Sequence, residues 1–183
     1  MKRIRYVCFT AILLVVFLFG CDKAPTPDEW KDLKYVTDNY SLEDAKRDGY
    51  VIEEDGSVIY GKDIWQDFVD LSAKKTPCKV RIIQCYKSGG MYILELAYNG
   101  ETFLLSEYEK EKLYQSEYKY LMRYEGEAET KDATYTSYVR YVLVNDDKVT
   151  WKDITRGMFS SQMDDYIPHR TIYTDLTYKE EYK

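Results

Sequence analysis

The chain has 183 residues, 45% of them hydrophobic and 32% charged, with a formal net charge of −6. That length suits one domain with a single hydrophobic core. An acidic balance disfavours nucleic acid, whose phosphates need clustered Lys and Arg, and equally disfavours attraction of the protein surface to anionic lipid.

The first stretch reads as an address rather than a fold. Lys2, Arg3 and Arg5 make a positive start, positions 6–19 are almost wholly apolar, and Leu18-Phe19-Gly20-Cys21 precedes the charges of Asp22 and Lys23. This is the pattern of a secretory signal peptide, and its apolar run is shorter than the roughly 20 residues of a membrane-spanning helix. Around Cys21 the sequence resembles the lipobox of bacterial lipoproteins. Leu18, Gly20 and Cys21 match that pattern, and Phe19 departs from it at a position that is usually small. The resemblance implies export, cleavage before Cys21 and diacylglycerol on its sulfur. Membrane attachment then runs through the lipid, and the expected location is the extracytoplasmic face of the bacterial cell membrane. The expected organisation is a signal peptide over 1–20, a tether over 21–40 and a single α+β domain over 41–183. Cleavage removes three basic residues; 26 less 3 leaves 23 against 32 acidic, a net charge of −9.

Within the tether, Pro25, Pro27 and many charges favour an open chain, while Trp30, Leu33, Tyr35 and Val36 can touch the domain. Ser41 can cap a short helix over 42–48, with Asp44 at the capping-box position and Gly49 to end it. Asp55-Gly56 suggests a turn between two short apolar runs, 50–52 and 57–60. The strongest helix covers 62–75. Ile64, Trp65, Phe68, Leu71 and Ser72 share a stripe at spacings of three and four, and Thr76-Pro77 ends it.

Three apolar runs come next, 79–86, 92–98 and 101–106, separated by Ser88-Gly89-Gly90 and Asn99-Gly100. Asn-Gly favours a two-residue hairpin turn, which would pair Tyr98 with Glu101, Leu96 with Phe103 and Leu94 with Leu105. Leu94, Leu96, Phe103 and Leu105 then share one apolar face, and the 62–75 helix is the expected cover. Residues 108–118 read as a helix or a solvated connection. Strands are expected over 118–124, 135–144 and 170–178. Between the last two, Thr150 and Asp153 open a helix that runs to about 162, stapled by Val149 and Ile154, with Trp151, Ile154 and Met158 on its buried face. The expected fold is α+β: an antiparallel sheet of about five strands with helices packed mainly on one face.

Besides the lipobox, four stretches resemble small lipoproteins of unknown function from Gram-positive gut anaerobes: residues 40–45, 118–126, 138–147 and 151–162. The resemblance implies no activity and no catalytic residue.

Chemistry is sparse. His169 is the single histidine, no Gly-x-Ser-x-Gly elbow or phosphate loop occurs, and Cys78 and Cys85 are the only cysteines after Cys21. They lie seven apart on one strand, which points them to opposite faces and favours free thiols. With so few ligands no metal or other cofactor is expected. The acidic clusters 53–55, 146–147 and 164–165 match no calcium loop and read as solvated charges. Tyrosine stands out with 20 copies; strand surfaces account for many of them, and exposed ones suit sugars or peptides. Two functions fit this reading: a lipid-anchored binding or interaction module for a protein, peptide or glycan ligand, or a small cell-envelope hydrolase using paired carboxylates.

Overall fold

In a computed structural model the described residues are 26–36, 40–109, 112–128 and 130–182. Cys21, the lipid-attachment residue expected from the sequence, and the whole signal segment lie outside them.

The described residues form nine strands and three α-helices. After α1 (Leu42–Arg47) come β1 (Val51–Glu54), β2 (Ser57–Tyr60) and α2 (Lys62–Ala73). Four strands succeed one another, β3 (Cys78–Cys85), β4 (Met91–Tyr98), β5 (Phe103–Glu109) and β6 (Lys112–Tyr118). Then come β7 (Tyr120–Glu127), β8 (Tyr135–Val144), α3 (Trp151–Phe159) and β9 (Arg170–Tyr178). The α+β class holds, but the single antiparallel sheet of about five strands does not. There are two sheets, one of six strands in the order β2-β1-β3-β4-β5-β6 and one of three in the order β7-β8-β9. The larger is mixed, because β1 runs parallel to β3. A parallel neighbour needs a crossover, and β2 with α2 supplies it.

Residues 108–118, read as a helix or connection, instead complete β5 and form β6, an antiparallel pair from Phe103↔Tyr118 to Glu109↔Lys112. Their Tyr-rich alternation has no helical stripe to bury. Only Lys119 separates β6 from β7, so the chain turns from one sheet into the other at a single bend.

The β4–β5 hairpin is offset from its expected register. Tyr98 faces Phe103, Leu96 faces Leu105 and Leu94 faces Glu107. Asn99 explains the longer loop: its side-chain carbonyl accepts the backbone N–H groups of Glu101 and Thr102, both at 2.8 Å. Gly100 alone takes positive φ, at 104°. The offset moves each partner by two residues, an even number, so side-chain faces are preserved. Leu94, Leu96, Phe103 and Leu105 are all buried as expected.

Those residues form the main core with Val80 and Ile82, Trp65 and Phe68 of α2, and Tyr141, Leu143, Ile172 and Tyr173 of the smaller sheet. So α2 covers only part of the large sheet, and β8 and β9 cover the rest. Adjacent Ile172 and Tyr173 can both join this core because the β8–β9 register shifts between Tyr141 and Val142. On α2, Trp65, Phe68 and Ser72 are buried, whereas Leu71, expected in the stripe, is 39% exposed.

The helices do not share a face. The opposite face of the large sheet carries a second cluster, in which Ala45 of α1 meets Tyr50, Ile52 and Ile83. A third joins Ile154 of α3 to Val142 and Val144, on the far side of the small sheet. Ser41–Asp44 and Thr150–Asp153 both form complete capping boxes. However, α3 stops at Phe159 rather than near 162, and Gly157, not Met158, faces inward. A Cβ on Gly157 would collide with the carbonyl oxygen of Asp165, so the returning chain needs glycine there.

Of the 21–40 segment, residues 26–36 lie against the outer cluster. Leu33 is buried, and the Trp30 indole donates to the Asp48 carbonyl at 3.1 Å. Arg81 is 2% exposed. It donates to Glu95 (2.8 Å), the Tyr50 hydroxyl (2.8 Å) and the Lys31 carbonyl (2.6 Å). A buried guanidinium is tolerable only when so fully partnered.

Candidate functional site

The candidate site is a groove at the β1–β2 turn. Asp55 and Gly56 both take positive φ, 47° and 80°, which gives the tight primed turn that Asp-Gly favours. The turn is pinned on two sides. From β3, the Cys85 carbonyl accepts the Asp55 N–H at 3.0 Å, and the Asp55 carboxylate accepts the Lys87 N–H at 3.1 Å. From β9, the Leu176 N–H donates to the Gly56 carbonyl at 2.9 Å, the Tyr178 hydroxyl donates to the Asp55 carbonyl, and Ser57 Oγ donates back to the Leu176 carbonyl at 2.8 Å. A Cβ at Gly56 would come within 3.0 Å of the Leu176 side chain, in a backbone conformation that already favours glycine.

The cavity that results has a volume of about 700 Å³. Tyr86, Tyr178 and Tyr182 wall it, with Ile59 and Lys87 at its rim. Tyr86 and Tyr182 are 42% and 51% exposed, so their rings are offered to solvent. Glu53, Glu54 and Asp55 supply carboxylates.

Glu53 is the unusual group. It is 5% exposed and accepts the Thr174 N–H of β9 at 2.9 Å. Burial pushes its carboxyl up to about 7, against the opposing hydrogen bonds from Thr174 and Gln84. The charge of nearby Asp175 adds to the rise. Near neutral pH, Glu53 is therefore divided between acid and carboxylate. Asp175 is held differently, by Lys62 and by the Val58 N–H at 3.4 Å, and is not part of the groove wall.

Sequence reasoning placed residues 53–55 among solvated charges, which is wrong for Glu53. The signal was present: Val51 is apolar, and a residue two positions along a strand points to the same face. The other acidic clusters remain at the surface. Asp146 caps its own turn through the Lys148 N–H at 2.9 Å, and Asp165 accepts from Ser160. His169 is half-buried, bonds to the Ile167 carbonyl at 2.7 Å and leans on Tyr166. Among the described residues, neither serine nor cysteine is hydrogen-bonded to it as a triad would need. Cys78 and Cys85 are free thiols, and burial raises both, Cys78 to about 11. Trp65 is core as expected, while Trp151 is half-buried with Arg140 over its ring at 4.6 Å. Among the described residues, no group of three or more His, Cys, Asp or Glu is placed to hold a metal ion.

No protein-family model matches the chain, and neither a curated protein nor a solved structure matches it.

Proposed function

We propose that the protein is a lipid-anchored, non-catalytic binding module at the extracytoplasmic face of the bacterial cell membrane. Diacylglycerol on Cys21 holds it there, and a glycan or peptide docks in the groove. The observation that carries this reading is the groove itself, where exposed Tyr86 and Tyr182 and half-buried Tyr178 share the wall with Glu54 and Asp55. Flat rings offer sugar or peptide faces an apolar surface at low entropic cost. Carboxylates beside them can accept hydrogen bonds from hydroxyl or amide donors. A net charge of −9 after cleavage weighs against nucleic acid.

The test is calorimetric titration of a soluble form, residues 22–183, with cell-wall oligosaccharides and with peptides. Tyr86→Ala and Tyr182→Ala, both at exposed positions, should each weaken binding by about 1 kcal/mol or more while leaving the melting temperature nearly unchanged. Binding that is indifferent to both substitutions would move the ligand elsewhere.

One observation favours the hydrolase alternative: Glu53 can hold a proton near neutral pH, as a general acid must. A paired mechanism needs a second carboxylate across the substrate, and Asp175 is tied to Lys62 outside the groove. Release of product from cell-wall substrate by the natural protein, and its loss in Glu53→Gln, would favour the hydrolase.

A further inference from the structure

A second cavity, of about 370 Å³, opens on the outer cluster, between the 26–36 segment and α1. It shares no wall with the tyrosine groove, and its chemistry is independent of that groove's role. Its walls are aromatic: Trp30, Tyr35 and Tyr40 stand around it with the buried ring of Tyr50 behind them. Trp30 meets Tyr50 edge-on at 5.2 Å and Tyr40 stacks on Tyr50 at 5.7 Å, so three of the four rings form one fixed block.

Among the described residues, Glu29, Asp44 and Asp48 line the cavity together with Lys31 and Arg47. Arg47 is taken up by Asp44 at 2.7 Å and Asp48 at 3.2 Å. The Tyr40 hydroxyl donates to Asp48 at 2.7 Å, and burial, reinforced by that bond, raises its pKa far above the usual tyrosine range, so the ring stays neutral. These rings already attract cations. Arg81 lies 5.1 Å from the Trp30 centroid and 5.5 Å from that of Tyr50, and Lys34 lies 4.8 Å from that of Tyr35.

We propose that this cavity is a binding site for a small organic ammonium ion, held by the faces and edges of Trp30, Tyr35 and Tyr40. Several aromatic rings converging on one space attract a cation through their quadrupoles, and the attraction grows as the site loses water. The cavity volume is that of a small-molecule site.

The probe is choline chloride, compared with 3,3-dimethylbutan-1-ol, its uncharged carbon isostere, at matched ionic strength. Binding to the soluble 22–183 form is read by calorimetry and by tryptophan fluorescence, to which Trp30 contributes. Choline should saturate the site and bind roughly three- to thirtyfold more tightly than the isostere. Tyr35→Ala removes a 63% exposed ring without disturbing the fold and should weaken choline by roughly two- to fivefold. Equal affinity for choline and its isostere, no saturable response to choline, or a Tyr35→Ala protein that binds choline as before would each overturn the assignment.

Discussion

Glu53→Gln tests whether a buried carboxyl at the junction of the sheets strains the fold at neutral pH. In the folded chain this carboxyl is raised to about 7 from an ordinary 4.5. At about 1.4 kcal/mol per pH unit, the difference amounts to at most about 3.5 kcal/mol. The sign comes from linkage: a group whose folded value is raised stabilises the protein fully below its unfolded value, and that contribution is lost as pH rises through the folded value. Stability should therefore fall between about pH 4.5 and pH 7 and level off above. Glutamine keeps the shape and an oxygen for the Thr174 N–H, but never ionises. Urea denaturation of both proteins at pH 5, 6, 7 and 8 is the assay. The variant should lack this component of the pH dependence and should be more stable than the parent at pH 8 by about 1–3 kcal/mol, within the limit just given. If Glu53→Gln is destabilising at pH 8, or if the difference between the proteins is the same at pH 5 and pH 8, the desolvation argument is wrong.

Phe68→Ala empties a 2% exposed position beside Trp65 and Phe103. It should cost about 3–5 kcal/mol in chemical denaturation. Gly157→Ala forces a methyl into the Asp165 carbonyl and should lower stability by about 1–3 kcal/mol, seen as a reduced melting temperature; an unchanged melt would show that the 163–165 turn moves freely. Cys21→Ala should abolish lipidation, with mass spectrometry of the natural protein finding a lipid-bearing Cys21 at its N-terminus; an intact Met1 on the membrane-bound form would refute the lipobox reading.

What could be read from the sequence was local. Ser41, Thr150 and their partners three residues on announce both capping boxes, because a cap is made by neighbours in the chain. The bounds of β8 and β9 arise from dense β-branched and aromatic residues. The apolar face of β4 and β5 was legible through a register error, since an even offset leaves side-chain faces in place. What escaped was non-local. Nothing near Val51 says that it will run parallel beside Ile82, a pairing made across an intervening helix. The split into two sheets hangs on one bend at Lys119. For Glu53 the alternation with Val51 gave the inward face, but the β9 backbone that donates to it there lies some 120 residues away. The tyrosine groove likewise joins the β1–β2 turn to the C-terminal strand. In sequence its walls looked like ordinary strand tyrosines and a charged turn.

On the proposed attachment through Cys21, the docking of residues 26–36 sets how far the domain can stand from a membrane. A free chain from a lipidated Cys21 to residue 40 would span at most about 65 Å at about 3.4 Å per residue. The Trp30 indole is fastened to the Asp48 carbonyl and Arg81 grips the Lys31 carbonyl, so with the proposed lipid on Cys21 the chain length between lipid and first fastening is at most about 30 Å. The mooring is thus less than half the length that the sequence advertises. A domain so attached would sweep the layer next to the headgroups rather than the depth of the envelope, and the ligand proposed for it would have to come to that layer. Cutting the Arg81 grip would lengthen that proposed leash without altering the residue that anchors it.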